Sequence, residues 1–183
     1  METLKSKEIS KNYNKTISNN RTIALFDVLP LTIKIYDEYR LLQESKATEL
    51  KVDAIDFEKS FSEGLSCVFG IQGELEGFAI CQTKQALSAD VFVEVMNMWL
   101  GQFLTNLDNK HSLFANLTAP LIFYPNIKPD DQFYKFNNRL MGFMRESKTF
   151  STNYLLQKGE RLSPITITLV TKFKGEDYAR NNI

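Results

Sequence analysis

The sequence lacks the residues and motifs on which several common enzyme mechanisms depend. It contains a single histidine, His111, so a histidine-rich zinc site and a Ser-His-Asp hydrolase are both unsupported. Neither G-x-x-x-x-G-K-[ST] nor G-x-G-x-x-G occurs, so nucleotide binding through such glycine-rich loops is unsupported too. We interpret His111, near the end of a predicted helix, as a residue that stabilises that helix end.

The chain also has no excess of charge of either sign and no long apolar run. Its 22 Lys and Arg residues balance 22 Asp and Glu residues, so the net charge points neither to nucleic acid nor to a membrane surface. The start, METLKSKEISKNYNK, is too polar for a secretory signal, and no apolar run reaches the ~18 residues of a membrane span. We therefore expect a cytoplasmic protein in which Cys67 and Cys81 are buried free thiols.

Enough apolar sequence is present for one folded domain. Hydrophobic side chains make up 43% of the 183 residues, which allows a sizeable core. Residues 1–21 are rich in Lys, Ser, Asn and Thr, and they are predicted to form a polar N-terminal tail. Residues 22–183 are predicted to form a single domain.

Periodicity and turn residues predict the elements of the first half of this domain. After Pro30, the spacing of apolar residues predicts a first helix near residues 31–45. Residues 51–83 are predicted to form strands. The last two of these, SCVFGI and GFAICQ, should pair as an antiparallel hairpin whose connection is marked by Gly73 and Gly77.

The second half is predicted to alternate between helices and strands. A long helix should begin at Ser88 or Asp90 and end near residues 108–111. NLTAPLIFYP should be a strand with Pro120 at a bend or an edge, DDQFYKFNNRLMGFMRE a helix, and the turn KGER the link between two final strands. The order predicts an α+β fold of two layers, in which a largely antiparallel sheet packs against long helices.

Polar residues are rare in the predicted long helix, and they share one side of it. At about 100° per residue, Asp90, Glu94, Asn97 and Gly101 fall within a narrow arc. The rest of the circumference is apolar: Val91, Phe92, Val93, Val95, Met96, Met98, Trp99, Leu100, Phe103, Leu104 and Leu107. We expect a mostly buried helix with one exposed stripe, on which Gly101 leaves the space beside Asn97 clear. The alternative is that the stripe is only the solvated face of an amphipathic helix.

The spacing of these residues continues beyond the helix. The full pattern is Asp90-x3-Glu94-x2-Asn97-x22-Pro120. In every fixed position and every spacing it resembles [DS]-x3-E-x2-N-x22-P, the signature of the CheC/CheX/FliY family of bacterial chemotaxis phosphatases. The glycine hairpin before the helix, and Gly101 after Asn97, are also similar to features of that family.

The resemblance implies a phosphatase that acts on the aspartyl phosphate of a response-regulator receiver domain, typically CheY. By resemblance, Asn97 would orient the attacking water and Glu94 would pair with the lysine of the receiver. Asp90 would support that contact or cap the helix, Gly101 would keep the helix edge clear, and Pro120 would shape the adjoining loop. A carboxamide suits the first role because it donates and accepts hydrogen bonds without titrating. No metal or cofactor is expected on this chain, whereas Mg²⁺ is expected on the receiver.

Some features depart from the family pattern. Only TKQALSA separates the hairpin from the motif helix, where members commonly have another helix. Only one site is present, as in CheX, whose members tend to dimerise, so we expect a homodimer.

Asp131, Lys135 and Asn138 repeat the offsets of the motif, but a lysine replaces the glutamate and we interpret the match as coincidence. Two alternatives to a phosphatase remain. One is a receiver-binding or scaffolding module without catalysis, and the other is a structural dimer whose tail recruits another molecule.

Overall fold

The computed structural model describes residues 25–35, 37–51, 57–85, 87–125 and 131–174. The polar tail predicted over residues 1–21 and the final segment 175–183 lie outside the described residues. Three helices have both ends within these ranges: α1 (Phe57–Glu63), α2 (Ala89–His111) and α3 (Asp131–Met144). In this part of the chain, no helix is both long enough and apolar enough to span a membrane.

The described strands form a single nine-stranded sheet. They are β1 (Thr32–Ile35), β2 (Tyr39–Gln43), β3 (Thr48–Glu49), β4 (Leu65–Gly73), β5 (Leu75–Thr83), β6 (Ala115–Leu117), β7 (Leu121–Phe123), β8 (Lys148–Lys158) and β9 (Arg161–Phe173). Their order is β1-β2-β8-β9-β5-β4-β6, with β3 beside β8 and β7 beside β4. Every pairing among them is antiparallel, which confirms the predicted α+β class with its largely antiparallel sheet.

The prediction of a helix near residues 31–45 is wrong, because Thr32–Ile35 and Tyr39–Gln43 in this range form the antiparallel strands β1 and β2. Thr32, Ile33 and Ile35 are β-branched, and such side chains favour a pleated strand. The pairing of β2 with β8 stabilises the strand, and Leu42 lies opposite Leu155 in that register. Such a distant partner cannot be read from the local spacing of apolar residues.

The strands predicted over residues 51–83 are confirmed only from Leu65 onward. Before that point the chain forms the short helix α1, so the prediction of strand is wrong there, and residues 52–56 lie outside the described residues. The hairpin of β4 and β5 is confirmed, with Ile71 opposite Gly77 at the end of the register. The final hairpin of β8 and β9 is also confirmed, and its turn contains Gly159 with a positive φ of 57°.

Helices cover both faces of the sheet. Successive residues of a strand point to opposite faces, and in β4 Phe69 packs in one hydrophobic cluster whereas Val68 packs in another. The first and larger cluster contains the buried residues of α2, and the second contains those of α1 and α3. The structure thus adds a second helical layer to the two layers expected.

The limits of α2 agree with the prediction. The Ser88 side chain accepts a hydrogen bond from the Val91 amide, which makes Ser88 the N-cap. At the other end, Ser112 adopts the left-handed conformation with φ of 51° and donates its amide to the Asp108 carbonyl. His111 lies in the last turn, where a basic side chain is favourable because of the helix dipole.

The predicted strand around Pro120 is present as two short strands along one edge of the sheet. Both β6 and β7 pair with β4, and residues 118–120 interrupt them. In the interruption, the Gly70 amide donates to the Thr118 hydroxyl at 2.9 Å and the Thr118 amide donates to the Gly70 carbonyl at 2.9 Å. Pro120 lies two residues after Thr118, at an edge position where its missing donor costs nothing.

The two cysteines are free and fully buried, as predicted. Cys67 lies directly opposite Cys81 in the register of β4 and β5. Burial raises the pKa of the Cys81 thiol well above its ordinary value, and a hydrogen bond with Cys67 raises it further. The thiolate is therefore disfavoured, and this thiol behaves as a small apolar side chain.

Candidate functional site

Four of the predicted site residues lie along the solvent-facing side of α2. Asp90, Glu94 and Asn97 are exposed, and Gly101 is partly exposed on the next turn. Residues three or four apart on a helix have Cβ atoms about 5–6 Å apart, so Glu94 and Asn97 can contact one partner together. We call these four positions the α2 ridge.

The opposite side of α2 anchors the ridge in the protein core. Eight side chains of this helix are buried: Phe92, Val95, Met96, Trp99, Leu100, Phe103, Leu104 and Leu107. Trp99 stacks on Phe103 with a ring-centroid distance of 5.7 Å and meets Tyr154 of β8 edge to face at 5.4 Å. This amount of contact holds the helix axis, and therefore the spacing of the exposed side chains, in one position.

Hydrogen bonds near its C-terminal end attach α2 to the segment before β1. The Asn106 side chain donates to the Val28 carbonyl at 3.0 Å, and the Lys110 ammonium donates to the Asp27 carbonyl at 2.7 Å. These bonds lie beyond the ridge along the helix. They secure the helix without using the side chains that carry the motif.

Gly101 leaves open space beside Asn97. A Cβ atom placed at Gly101 would have no heavy atom within 4 Å outside its own helix backbone. The Thr105 hydroxyl, one turn further on, donates to the Gly101 carbonyl at 2.8 Å and so stays close to the helix surface. A surface that approaches Asn97 from this side therefore meets no bulky side chain from the next turn.

The chemistry available on the ridge is that of a carboxylate and a carboxamide at a solvent-exposed edge. Asp90 is in the first turn of α2, where a negative charge is stabilised by the helix dipole. Glu94 can accept hydrogen bonds from a cation, and Asn97 can both donate to and accept from a bound water. Within the described residues, no group of three or more His, Cys, Asp or Glu side chains is placed to hold a metal ion.

Pro120 lies outside α2, in the interruption between β6 and β7. It lies three residues beyond β6, and β6 packs against α2. Pro120 ends the interruption in the edge strand and immediately precedes β7. The structure therefore brings four of the five predicted site residues together on one helix, with the fifth on the adjoining sheet edge.

A groove formed by the described residues lies elsewhere, on the other face of the sheet. It is a groove of about 860 Å³ beside α3, and its lining includes Lys135, Arg139 and Lys174. The sequence pattern singled out Lys135 only as part of a coincidental repeat. The signal that could have found these residues is the pair of cations one turn apart on the predicted amphipathic helix.

Comparison with known proteins finds likeness in structure but not in sequence. No protein-family model matches the chain, and no curated protein sequence matches it. The CheX chemotaxis protein of Desulfovibrio desulfuricans matches with a TM-score of 0.41 and 12% identity, over 86% of this chain and 99% of that chain. FliY of Thermotoga maritima matches with a TM-score of 0.42 and 12% identity, over 80% of this chain and 84% of that chain.

A third match is to a chain of the crystallised complex of CheX, CheY, BeF₃ and Mg²⁺ from Borrelia burgdorferi. Its TM-score is 0.38 and its identity 13%, over 82% of this chain and 92% of that chain. At these scores and identities the likeness carries no argument about activity, which depends on individual side chains.

Proposed function

We propose that this protein accelerates hydrolysis of the aspartyl phosphate on the receiver domain of a response regulator. The observation that carries the proposal is the placement of Glu94 and Asn97 one turn apart, both exposed, on a mostly buried helix. Gly101 lies one turn after Asn97, with open space around its Cβ position. An exposed polar stripe by itself would indicate only a solvated face. The match of this stripe and of Pro120 to the phosphatase signature distinguishes it from such a face.

Asn97 would position the attacking water. An acyl phosphate is already activated, so a catalyst gains most by holding water in line with the phosphorus atom and the leaving oxygen. The Asn97 carboxamide can accept a hydrogen bond from that water, and its amide can donate to a phosphoryl oxygen. Because a carboxamide does not titrate, this contribution should not change with pH across the neutral range.

Glu94 would set the depth of docking by pairing with the active-site lysine of the receiver. A carboxylate and an ammonium group attract each other and form charge-assisted hydrogen bonds. With Glu94 bound one turn away, Asn97 is held at a fixed distance from the phosphoryl group. The Mg²⁺ ion of the receiver would neutralise charge on the phosphoryl oxygens, and Asp90 would support the contact from the preceding turn.

The same proposal includes a homodimer. The edge strand β7 exposes Leu121 and Ile122, 50% and 37% accessible respectively, and it pairs with β4 on one side. An exposed edge of this kind can pair with a second copy of the chain. Analytical ultracentrifugation of the purified protein should show a dimer, and a monomer at all micromolar concentrations would contradict this part of the proposal.

The decisive experiment compares two asparagines on two helices. Receivers from the same genome are phosphorylated, and phosphate loss is measured with and without this protein. Asn97→Ala should lower the added hydrolysis rate by about a hundredfold or more, which is typical when one positioned hydrogen-bonding group is removed. Asn138→Ala, an exposed asparagine on α3, is the matched control and should leave the rate unchanged.

Two other outcomes would contradict the proposal. Equal rates for the wild-type protein and Asn97→Ala would remove Asn97 from the reaction. Tight binding of the wild-type protein to a beryllofluoride-activated receiver, without faster phosphate loss from any receiver, would instead favour a receiver-binding module without catalysis.

A further inference from the structure

The groove on the sheet face opposite α2 has a shape and a charge that the phosphatase proposal does not use. It lies between α3, β4, β5 and the interruption in the edge strand, and its volume of about 860 Å³ is in the range of small-molecule sites. Gly70 and Thr118 belong to its lining, and the two hydrogen bonds between them hold the interrupted edge in place.

Three aromatic rings contribute to the lining of the groove. Phe78 of β5 meets Phe136 edge to face with a centroid distance of 5.8 Å, and it meets Phe143 in the same way at 5.5 Å. Each of the three rings is only partly buried. Partly open aromatic rings can stack on a flat ligand such as a nucleobase.

Three cations surround this aromatic surface. Lys135 and Arg139 are exposed one turn apart on α3, and Lys174 is exposed just after β9. In the part of the chain that the structure describes, none of the three forms an ion pair. Among the described residues, the lining contains one carboxylate, Glu76, which lies opposite Lys172 in the register of β5 and β9. Lys172 itself forms an ion pair with Glu146.

Two like charges at this helical spacing repel each other, so the arrangement is unfavourable unless an anion is bound. Arginine and lysine side chains are the usual partners of phosphate groups, arginine by two parallel hydrogen bonds and lysine as a point charge. A di- or triphosphate offers more acceptor oxygens and more negative charge to three cations than a single carboxylate does.

We propose that this groove binds a nucleoside di- or triphosphate. The base would stack against the ring of Phe136, because the Lys172 ammonium already lies over the Phe143 ring, 5.0 Å from its centroid. The phosphates would lie among Lys135, Arg139 and Lys174. This mode needs no glycine-rich phosphate loop, because side chains from α3 and β9 supply the cations. An acidic segment of another protein would use the charge of the groove but would not need its aromatic rings or its concave shape.

The nucleotide site and the α2 ridge are on opposite faces of the sheet. A bound nucleotide therefore does not block access of a receiver to Asn97. This separation makes the two proposals independent, since binding can be measured without a receiver and phosphatase activity can be measured without a nucleotide.

Isothermal titration calorimetry with ADP and with ATP tests the proposal on the full chain. At least one nucleotide should bind saturably at low ionic strength, and binding should weaken as salt is raised because the contacts are charged and exposed. Lys135→Ala/Arg139→Ala should weaken binding at least tenfold. Phe136→Leu, which keeps every charge, should weaken it by a smaller factor through loss of the aromatic ring.

The matched control is Lys51→Ala/Arg161→Ala, which removes one exposed lysine and one exposed arginine away from the groove. It should bind nucleotide as the wild type does, and circular dichroism should show native folding of all the variants. Absence of saturable binding of both nucleotides up to millimolar concentration would overturn the proposal. Equal weakening in both double variants would also overturn it, as would binding of a poly-glutamate peptide but of neither nucleotide.

Discussion

The helices α2 and α3 carry an acidic residue, an asparagine and a glycine at the same spacing along the chain. They nevertheless lie on opposite faces of the sheet, and α2 is buried more deeply than α3. The matching positions are Asp90, Glu94, Asn97 and Gly101 in α2, and Asp131, Lys135, Asn138 and Gly142 in α3. A Cβ atom at either glycine would meet nothing within 4 Å. The two helices therefore offer a comparison in which spacing is constant and the surroundings change.

Three differences separate them. The second position is a carboxylate in α2 and a cation in α3, so the two helices attract partners of opposite charge. At the signature spacing after the asparagine, α2 is followed by Pro120 and α3 by Arg161. α2 is buried along most of its circumference, whereas Lys135 and Arg139 of α3 are exposed beside an open groove. The offsets alone therefore do not define a site.

The difference in burial predicts the largest effect, which is on stability. Phe103→Ala in α2 removes a side chain that is 0% exposed, and we expect it to lower the free energy of unfolding by about 3–5 kcal/mol. Phe143→Ala in α3 removes a half-buried ring and should cost roughly half as much. Urea unfolding measures both values. Equal losses would show that α3 is as deeply integrated as α2.

Exchange of charge at Glu94 and Lys135 tests whether the two helices differ in function. Glu94→Lys gives α2 the charge of α3, and repulsion from the lysine of the receiver should lower accelerated hydrolysis at least a hundredfold, or about 2.7 kcal/mol. Lys135→Glu gives α3 the composition of the motif, but it should add no activity in an Asn97→Ala background. The assay is phosphate loss from the cognate receiver. Restored activity in that double variant would show that offsets are sufficient after all.

Substitution of Gly101 and of Gly142 should give the smallest effect. Gly101→Met should fold normally but should lower receiver dephosphorylation about tenfold, because its side chain occupies the space beside Asn97. Gly142→Met should fold equally well, since its position is as open, and should leave dephosphorylation unchanged. In both variants, replacement of a helical glycine should raise stability by roughly 0.5–1 kcal/mol. Unchanged activity of Gly101→Met would mean that the ridge does not insert into a partner at that point.

Elements with a strong local pattern could be predicted from sequence. The long helix has Ser88 at its start and an apolar circumference, and both features depend only on near neighbours. The hairpin of β4 and β5 was predictable for the same reason, because glycines separate two β-rich runs. Only Gly73 lies at the connection, since Gly77, which was also expected there, lies within β5. Residues 31–45 were mistaken for a helix because β2, which pairs locally with β1, has its second partner in β8, far away in the chain.

Of the two proposed sites, only the α2 ridge could be inferred from the sequence. The spacing of Asp90, Glu94 and Asn97 is a property of the helical repeat, so their common exposure on the ridge could be inferred from the sequence. The groove could not, because its lining comes from β4, β5, α3 and the end of β9. No segment contains more than part of it.

The local sequence pattern was thus sufficient to predict whether most segments form helices or strands. It was also sufficient to predict which side chains share one face of the motif helix. Both predictions follow from repeats of two or 3.6 residues. The face of the sheet on which each helix packs, the strand partners of β2, and the meeting of three cations with three aromatic rings depend on contacts between distant segments. Only the folded arrangement establishes those contacts, because they are selected by burial of the whole apolar surface at once.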